Sequence, residues 1–360
     1  MTTERALDST GLLLYTRPGF EREAAAEIMD QVAALGLYGY VRTREGEGAV
    51  RFVPGEAAFM EILAKELRFH DLIFARQMVR VLDVLPELSA EDRLGPILAS
   101  LLAEDRRYGD LLLETADTND AKSLSVFLRK FHVPLREALK REGLLVPNAS
   151  ARLHVFFVSG TSVILGISHV HNASPWLMGI PRLRFPPGAP SRSTLKLDEA
   201  FGLFVQDPET EVQPGMTAVD LGAAPGGWTY QLVRRHLRTT AIDNGAMDPS
   251  LLDSGLVEHL RVDGFRYRPL KPVDWLVCDM VEQPQRIARL VAEWLAEGRC
   301  KRAIFNLKLP MKKRYEMVLD CREILESRTQ KAGVSCRLSF KQLYHDRAEI
   351  TGYAERIHSD

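Results

Sequence analysis

Asp220-Leu221-Gly222-Ala223-Ala224-Pro225-Gly226-Gly227-Trp228 is the stretch whose reading decides the fold. It continues a short β-type run, Thr217-Ala-Val-Asp-Leu, and opens helical periodicity over 228–237. Glycines at such a junction let backbone approach a ligand closely, and the N-terminus of the next helix offers N–H groups with no intrahelical partner. The spacing is not G-x-G-x-x-G, because the glycines fall at Gly222, Gly226 and Gly227. Pro225 in the turn contributes no N–H donor. A pyrophosphate cradle is therefore poorly supported, and a dehydrogenase also lacks a hydride partner in this sequence.

Outward from the loop, strand and helix alternate. Strands are expected at 239–243, near 259–262, at 273–279 and at 302–308, with helices at 249–256, 284–297 and about 313–331 before a final strand pair. That alternation predicts a parallel sheet with helices on both faces. Asp243, Asp263 and Asp279 end successive strands after Asp220, and strand ends converge on the edge where open α/β sheets bind ligands. A row of carboxylates suits a cationic cofactor better than a dinucleotide, and S-adenosylmethionine carries both a sulfonium and an ammonium.

Residues 11–168 read as mixed α and β with no glycine-rich phosphate loop. Leu153-His-Val-Phe-Phe-Val, Ser159-Gly160-Thr161 and Ser-Val-Ile-Leu-Gly-Ile form the clearest hairpin signal, and helical periodicity over 122–143 is expected to break at Pro134. The Pro-rich stretch 171–193 reads as a linker between an N-terminal region, 1–170, and a catalytic domain, 194–360. Arg182, Arg184, Arg192 and Lys196 fall within 15 residues that contain no acidic side chain, as a solvated loop or a phosphate-facing strip would require.

The 360 residues are 46% apolar and 26% charged, with 47 basic against 48 acidic side chains, which excludes a disordered, fibrous or globally basic chain. No apolar stretch approaches the roughly 20 residues needed to span a bilayer, and Met1-Thr-Thr-Glu-Arg has no signal-like pattern, so a cytoplasmic protein is expected. Cys278, Cys300, Cys321 and Cys336 include no C-x-x-C pair and read as reduced packing or surface thiols, with no metal site expected.

Lys308 ends an apolar strand just before Leu309-Pro310. Either it snorkels from a strand terminus, or it is a general base whose amine desolvation and a cation such as Lys196 bring toward neutrality. Neutral Lys308 would take a proton from a ribose 2′-hydroxyl as that oxygen attacks a sulfonium methyl, with Asp279 and Glu349 holding both lysines in register. Other acceptors fit less well. Asp279-Met-Val-Glu lacks the Pro-Pro-aromatic signature of amino methylation. Cys278, adjacent to Asp279 on a strand, points to the opposite side and is expected in the core.

Lys196, Asp279, Lys308 and Glu349 resemble the Lys-Asp-Lys-Glu tetrad of FtsJ-type RNA ribose 2′-O-methyltransferases, and the 220–228 run resembles their cofactor loop. Pro190-Ser-Arg-Ser-Thr-Leu-Lys-Leu, Phe305-Asn-Leu-Lys-Leu-Pro-Met-Lys-Lys-Arg-Tyr and Gln342-Leu-Tyr-His-Asp-Arg are similar, more narrowly, to the bacterial 23S rRNA methyltransferase M (RlmM) family. This resemblance implies a Rossmann-like S-adenosylmethionine-dependent methyltransferase domain preceded by an α+β ferredoxin-like and THUMP RNA-binding region. It implies 2′-O-methylation of a cytidine ribose in 23S rRNA or a large-subunit precursor, by a monomer. It also implies cofactor contacts at Ser191, Gly222, Ala224, Pro225, Gly226, Gly227, Asp243, Asp263 and Asp279, with Lys308 as proton acceptor. Ala224 stands where a relative has Cys, so no thiol is needed there.

From Lys301 to Arg347 there are 12 Lys/Arg against 5 Asp/Glu. The strip Lys308, Lys312, Lys313, Arg314 could bind phosphates flanking the target or simply start a charged helix. Tyr315 and Tyr344 could stack on an unpaired base or pack inside. Two alternatives remain open at this point: the same chemistry on another RNA, and a non-catalytic RNA-binding assembly factor, against which the intact lysine pair argues.

Overall fold

A computed structural model describes residues 10–357, so residues 1–5, read above for a signal segment, lie outside the described residues. The chain divides between Pro181 and Arg182 into two compact units, each built on a seven-stranded sheet.

The first unit contains β1 (Gly11–Thr16), α1 (Glu21–Ala34), β2 (Gly39–Arg42), β3 (Ala49–Pro54), α2 (Phe59–Glu66) and β4 (Ala75–Leu85). It continues with α3 (Leu94–Ala103), β5 (Asp110–Thr115), α4 (Leu124–Arg141), β6 (Ala151–Ser159) and β7 (Ser162–His169). The sheet order is β2-β3-β1-β4-β7-β6-β5, parallel only between β5 and β6. The expected hairpin is β6–β7, turning at Gly160-Thr161 with Ser159 opposite Ser162. The expected break at Pro134 does not occur, and α4 runs through it. Proline removes the N–H that would reach the carbonyl of Lys130, but both residues face solvent, where water can take that carbonyl. Periodicity also gave no sign of a buried polar knot in this unit. Glu114 accepts from Tyr15 at 2.6 Å and pairs with His154 Nδ1 at 2.8 Å, while His154 Nε2 lies 2.7 Å from Ser168 Oγ.

The Pro-rich stretch is fastened at both ends. Asn172 Oδ1 accepts from the Phe69 N–H at 2.7 Å and the Ser174 carbonyl from Gln77 Nε2 at 3.1 Å, both within the first unit. Ser191 and Ser193 lie in the second.

The second unit contains α5 (Thr194–Phe204), α6 (Pro208–Glu211), β8 (Thr217–Leu221), α7 (Gly227–Arg234), β9 (Arg238–Ile242), α8 (Pro249–Leu252) and β10 (Val257–Leu260). Next come β11 (Val273–Cys278), α9 (Pro284–Ala296), β12 (Cys300–Lys308), α10 (Arg314–Lys331), β13 (Ser335–Lys341) and β14 (Glu349–Ile357). The order is β10-β9-β8-β11-β12-β14-β13. The five strands from β10 to β12 are parallel, but β14 is antiparallel to both β12 and β13, so the sheet is mixed at the edge where the final pair joins. Helix α8 stops four residues earlier than its periodicity indicated, before Gly255 at φ 70°. One side of the sheet is sealed by Trp275, Phe201, Trp228, Ile304 and Tyr353, all buried.

Gly352 lies opposite Phe305 in the β12–β14 ladder, and a Cβ there would run into the Phe305 ring. Gly352→Val should therefore lower the stability of this unit by about 2 kcal/mol through overpacking, read as a fall of several degrees in calorimetric Tm. An unchanged Tm would contradict this packing.

Candidate active site

Strand order reverses between β8 and β11, and at such a point the loops leaving the two strands splay apart to open a crevice. The loops after β8, β9, β10, β11 and β12 all leave the carboxyl ends of parallel strands.

The β8 loop is a close-approach turn. Gly222 (φ 81°) and Gly226 (φ 118°) occupy left-handed backbone that residues with a Cβ rarely adopt. A Cβ on Gly226 would collide with Leu251, and one on Gly227 would collide with the hydroxyls of Ser191 and Ser193. Those hydroxyls are 2.7 Å apart, so Ser191 lies directly against the glycine turn at the start of α7. Asp243, immediately after β9, binds the turn from the other side. Its Oδ2 accepts from the Ala224 N–H at 3.0 Å and its Oδ1 from the Gly245 N–H at 2.7 Å. Each oxygen keeps a second lone pair for a ligand hydroxyl. Met280, next to Asp279, packs against both Gly222 and Gly264, which brings the ends of β8, β10 and β11 together.

Asp263 is placed differently from Asp243 and Asp279. It sits three residues beyond β10 and uses its carboxylate on its own turn, accepting from the Phe265 N–H at 2.9 Å and lying 3.6 Å from Arg266 Nε.

Lys196 of α5, Asp279 after β11, Lys308 at the end of β12 and Glu349 at the start of β14 meet in one cluster. Lys308 faces Glu349 across the ladder, which puts both side chains on one face. Lys308 Nζ donates to Asp279 Oδ1 at 2.8 Å and to Glu349 Oε2. Lys196 Nζ donates to Glu349 Oε1 and lies 3.8 Å from Asp279 Oδ2. Two ammoniums thus alternate with two carboxylates.

The electrostatics correct the expectation of a Lys308 amine near neutrality. Burial pulls its pKa down, but Asp279 and Glu349 outweigh burial and the net direction is upward. For Glu349 burial raises the pKa, yet the two lysines bring it below the usual carboxylate range. Lys308 therefore rests as an ammonium.

Sequence reasoning missed the support behind this cluster. Asn306, two residues before Lys308 on the same face, donates from Nδ2 to Asp279 Oδ1 at 2.9 Å, and Thr351, opposite it in the ladder, lies 2.7 Å from Asn306 Oδ1. An amide inside the apolar run 303–307 was the available signal. Glu199, one turn beyond Lys196, accepts from the N–H groups of Tyr344 at 2.8 Å and His345 at 3.0 Å, fixing the loop that leads into β14.

Other expectations sort themselves out. Cys278 is fully buried, and burial pushes its thiol up to about 12, so it is a packing residue. Tyr315 is buried, which removes it as a stacking platform, while Tyr344 is partly exposed. Lys312 and Lys313 are exposed. Among the described residues no His, Cys, Asp and Glu cluster could hold a metal, and no helix is long and apolar enough to cross a membrane.

The crevice fits a cationic cofactor. The glycine turn admits a close ligand, and Asp243 and Asp279 border it. Asp220 at the end of β8 is fully buried with Oδ1 lacking a hydrogen-bond partner among the described residues. Burial pushes its carboxyl up to about 7 against a 2.6 Å hydrogen bond from Thr229, and Asp279 adds to the rise. A cation entering the crevice relieves that crowding of negative charge.

Residues 9–79 match the RlmM ferredoxin-like domain, residues 92–169 the N-terminal domain of ribosomal RNA large subunit methyltransferase M, and residues 189–332 the FtsJ-like methyltransferase domain. The ribosomal RNA large subunit methyltransferase M of Methylococcus capsulatus is 57% identical over 349 residues, spanning 97% of this chain and 99% of the relative. That of Tolumonas auensis is 52% identical over 346 residues, 94% of each chain. Among solved structures, TrmN from Thermus thermophilus is similar at 17% identity and a TM-score of 0.37, over 97% of this chain and 100% of that one. The chain belongs to the ribosomal RNA large subunit methyltransferase M family, with an FtsJ-like catalytic domain, and its methyl donor is S-adenosylmethionine.

Proposed function

We propose that this protein methylates the ribose 2′-hydroxyl of a cytidine in 23S rRNA, with Lys308 as the general base. The observation that carries this reading is Lys308 Nζ held between Asp279 and Glu349 on the sheet edge that bears the glycine turn. Family membership supports large-subunit rRNA as the substrate class, and the Lys-Asp-Lys-Glu cluster supports a hydroxyl acceptor rather than a base atom.

When bound, S-adenosylmethionine would supply an electrophilic methyl on a positively charged sulfur, which keeps the electron pair of the broken sulfur–methyl bond and departs as a neutral thioether. Ser191, Gly222, Ala224, Pro225, Gly226 and Gly227 would line its cradle, while Asp243, Asp263 and Asp279 would meet its hydroxyls and cationic groups. Lys308, in its neutral form, accepts the 2′-hydroxyl proton as that oxygen forms its bond to the methyl carbon. Asp279 and Glu349 then stabilise the ammonium that develops at Nζ, so their charge acts where positive charge builds up in the transition state. Lys196 orients Glu349 and offsets its charge. The resting arrangement corresponds to the product side of that proton transfer. Exposed Lys312 and Lys313, just beyond the base, would hold phosphates beside the target nucleotide. We place the reaction in the cytoplasm, on 23S rRNA or a large-subunit precursor, with the enzyme as a monomer.

Lys308→Ala should lower methyl transfer to 23S rRNA from cells lacking the enzyme by about 100-fold or more, with S-adenosylmethionine affinity within a few-fold of wild type. Turnover at the wild-type rate would remove Lys308 from its role. The raised Lys308 pKa also fixes the sign of the pH dependence. Neutral amine is the minor form below that pKa, so single-turnover methyl transfer should rise with pH from about 7 to 9, approaching tenfold per unit. A flat or falling profile would contradict a lysine base.

A further inference from the structure

Three contacts run in series behind Asp279. Asn306 Nδ2 lies 2.9 Å from Asp279 Oδ1, Asn306 Oδ1 lies 2.7 Å from Thr351 Oγ1, and Thr351 Oγ1 lies 3.0 Å from Asp346 Oδ2. Asn306 and Thr351 are fully buried and Asp346 is 1% exposed.

Each contact needs one hydrogen. The Asn306 amide donates through its nitrogen only, and a threonine hydroxyl has a single hydrogen. With both carboxylates ionised, the three contacts share two available hydrogens. If Thr351 donates to Asp346, then Asn306 and Thr351 face each other as two acceptors. Turning the amide over mends that contact but sets Asn306 Oδ1 against Asp279 Oδ1. The third hydrogen must come from one of the two carboxyls. Asp279 Oδ1 already accepts from Lys308 Nζ at 2.8 Å and its Oδ2 lies 3.8 Å from Lys196 Nζ, so both of its oxygens face donors. Asp346 is left to supply it.

We propose that Asp346 is protonated and donates to Thr351, which donates to Asn306, which donates to Asp279, so that a directed chain of buried positioning residues aims the Asp279 carboxylate at Lys308. The surroundings agree. Burial drives the Asp346 pKa well above the carboxylate range, Glu349 of β14 and Glu199 of α5 add to it, and Lys196 of α5 and the Leu343 N–H oppose it. Glu199 is itself paired with His345. A chain pointing outward from Asp346 ends in an N–H donor on Asp279, which keeps that carboxylate charged and oriented while Lys308 changes its protonation state. The kinetic part of this inference rests on the methyl-transfer reading above, whereas the protonation state of Asp346 does not.

Infrared difference spectra of wild type minus Asp346→Asn at neutral pH should contain the C=O stretch of a protonated carboxylic acid. In parallel, Thr351→Val should lower kcat at least tenfold with little change in KM for S-adenosylmethionine, and Thr351→Ser, which keeps the hydroxyl, should restore kcat to within about threefold of wild type. A carboxylate stretch in place of the acid band would overturn the protonated Asp346. Full activity in Thr351→Val, or no recovery in Thr351→Ser, would overturn the positioning chain. Inactive wild-type enzyme alongside an intact acid band would count against the methyl-transfer reading and leave the proton on Asp346 in place.

Discussion

The site depends on the antiparallel register between β12 and β14, which sets Lys308 against Glu349 and Asn306 against Thr351. Side chains alternate along a strand, so a slip of β14 by one residue would turn Glu349 and Thr351 away from Lys308 and Asn306 and set their strand neighbours in their place. The packing of Phe305 over Gly352, three rungs from Lys308, secures that register because no other residue leaves room for the ring. Five parallel strands would leave Lys308 at a sheet edge with one carboxylate, Asp279, against it. The reversed β14 covers that edge and supplies the second carboxylate.

Charge balance follows from the same geometry. Buried ions are costly unless paired, and two lysines against two carboxylates leave the cluster neutral. Removing one member strands the others, which is why Asp279 and Glu349 are as constrained as the lysines they hold. The balance also explains why Lys308 rests protonated, and under the proposed mechanism the groups that stabilise its ammonium after proton transfer are already in place before it. With Lys308 as the proposed base, part of the barrier is the free energy needed to populate the neutral amine.

Much of this was legible in the sequence. The 220–228 run, the strand–helix alternation after it and the Asp residues at strand ends reflect local rules of turn chemistry and periodicity, and Asp243 and Asp279 stand where those rules put them. The residues of the Lys-Asp-Lys-Glu cluster could be proposed from their strand-end positions and matched by resemblance, but their mutual contacts were not legible, because the members are separated by up to 153 positions along the chain. Local reasoning failed where long-range contacts decide the outcome. The Lys308 pKa moved opposite to expectation because Asp279 and Glu349 outweigh burial. Asn306 and Thr351 went unnoticed because nothing within their own strands says that they face each other. Asp263 falls three residues beyond β10 rather than at its end and also braces its own turn, a distinction that no spacing encodes. For Tyr315 the sequence left base stacking and interior packing both open, and the structure buries it.

The most direct test of the central claim is a nucleotide-resolution map of methyl groups placed on 23S rRNA by the purified protein. The account predicts one new 2′-O-methylated cytidine, detected as a ribose resistant to alkaline cleavage, with its base unmodified. A methyl on a base atom, or modification confined to another RNA, would contradict it.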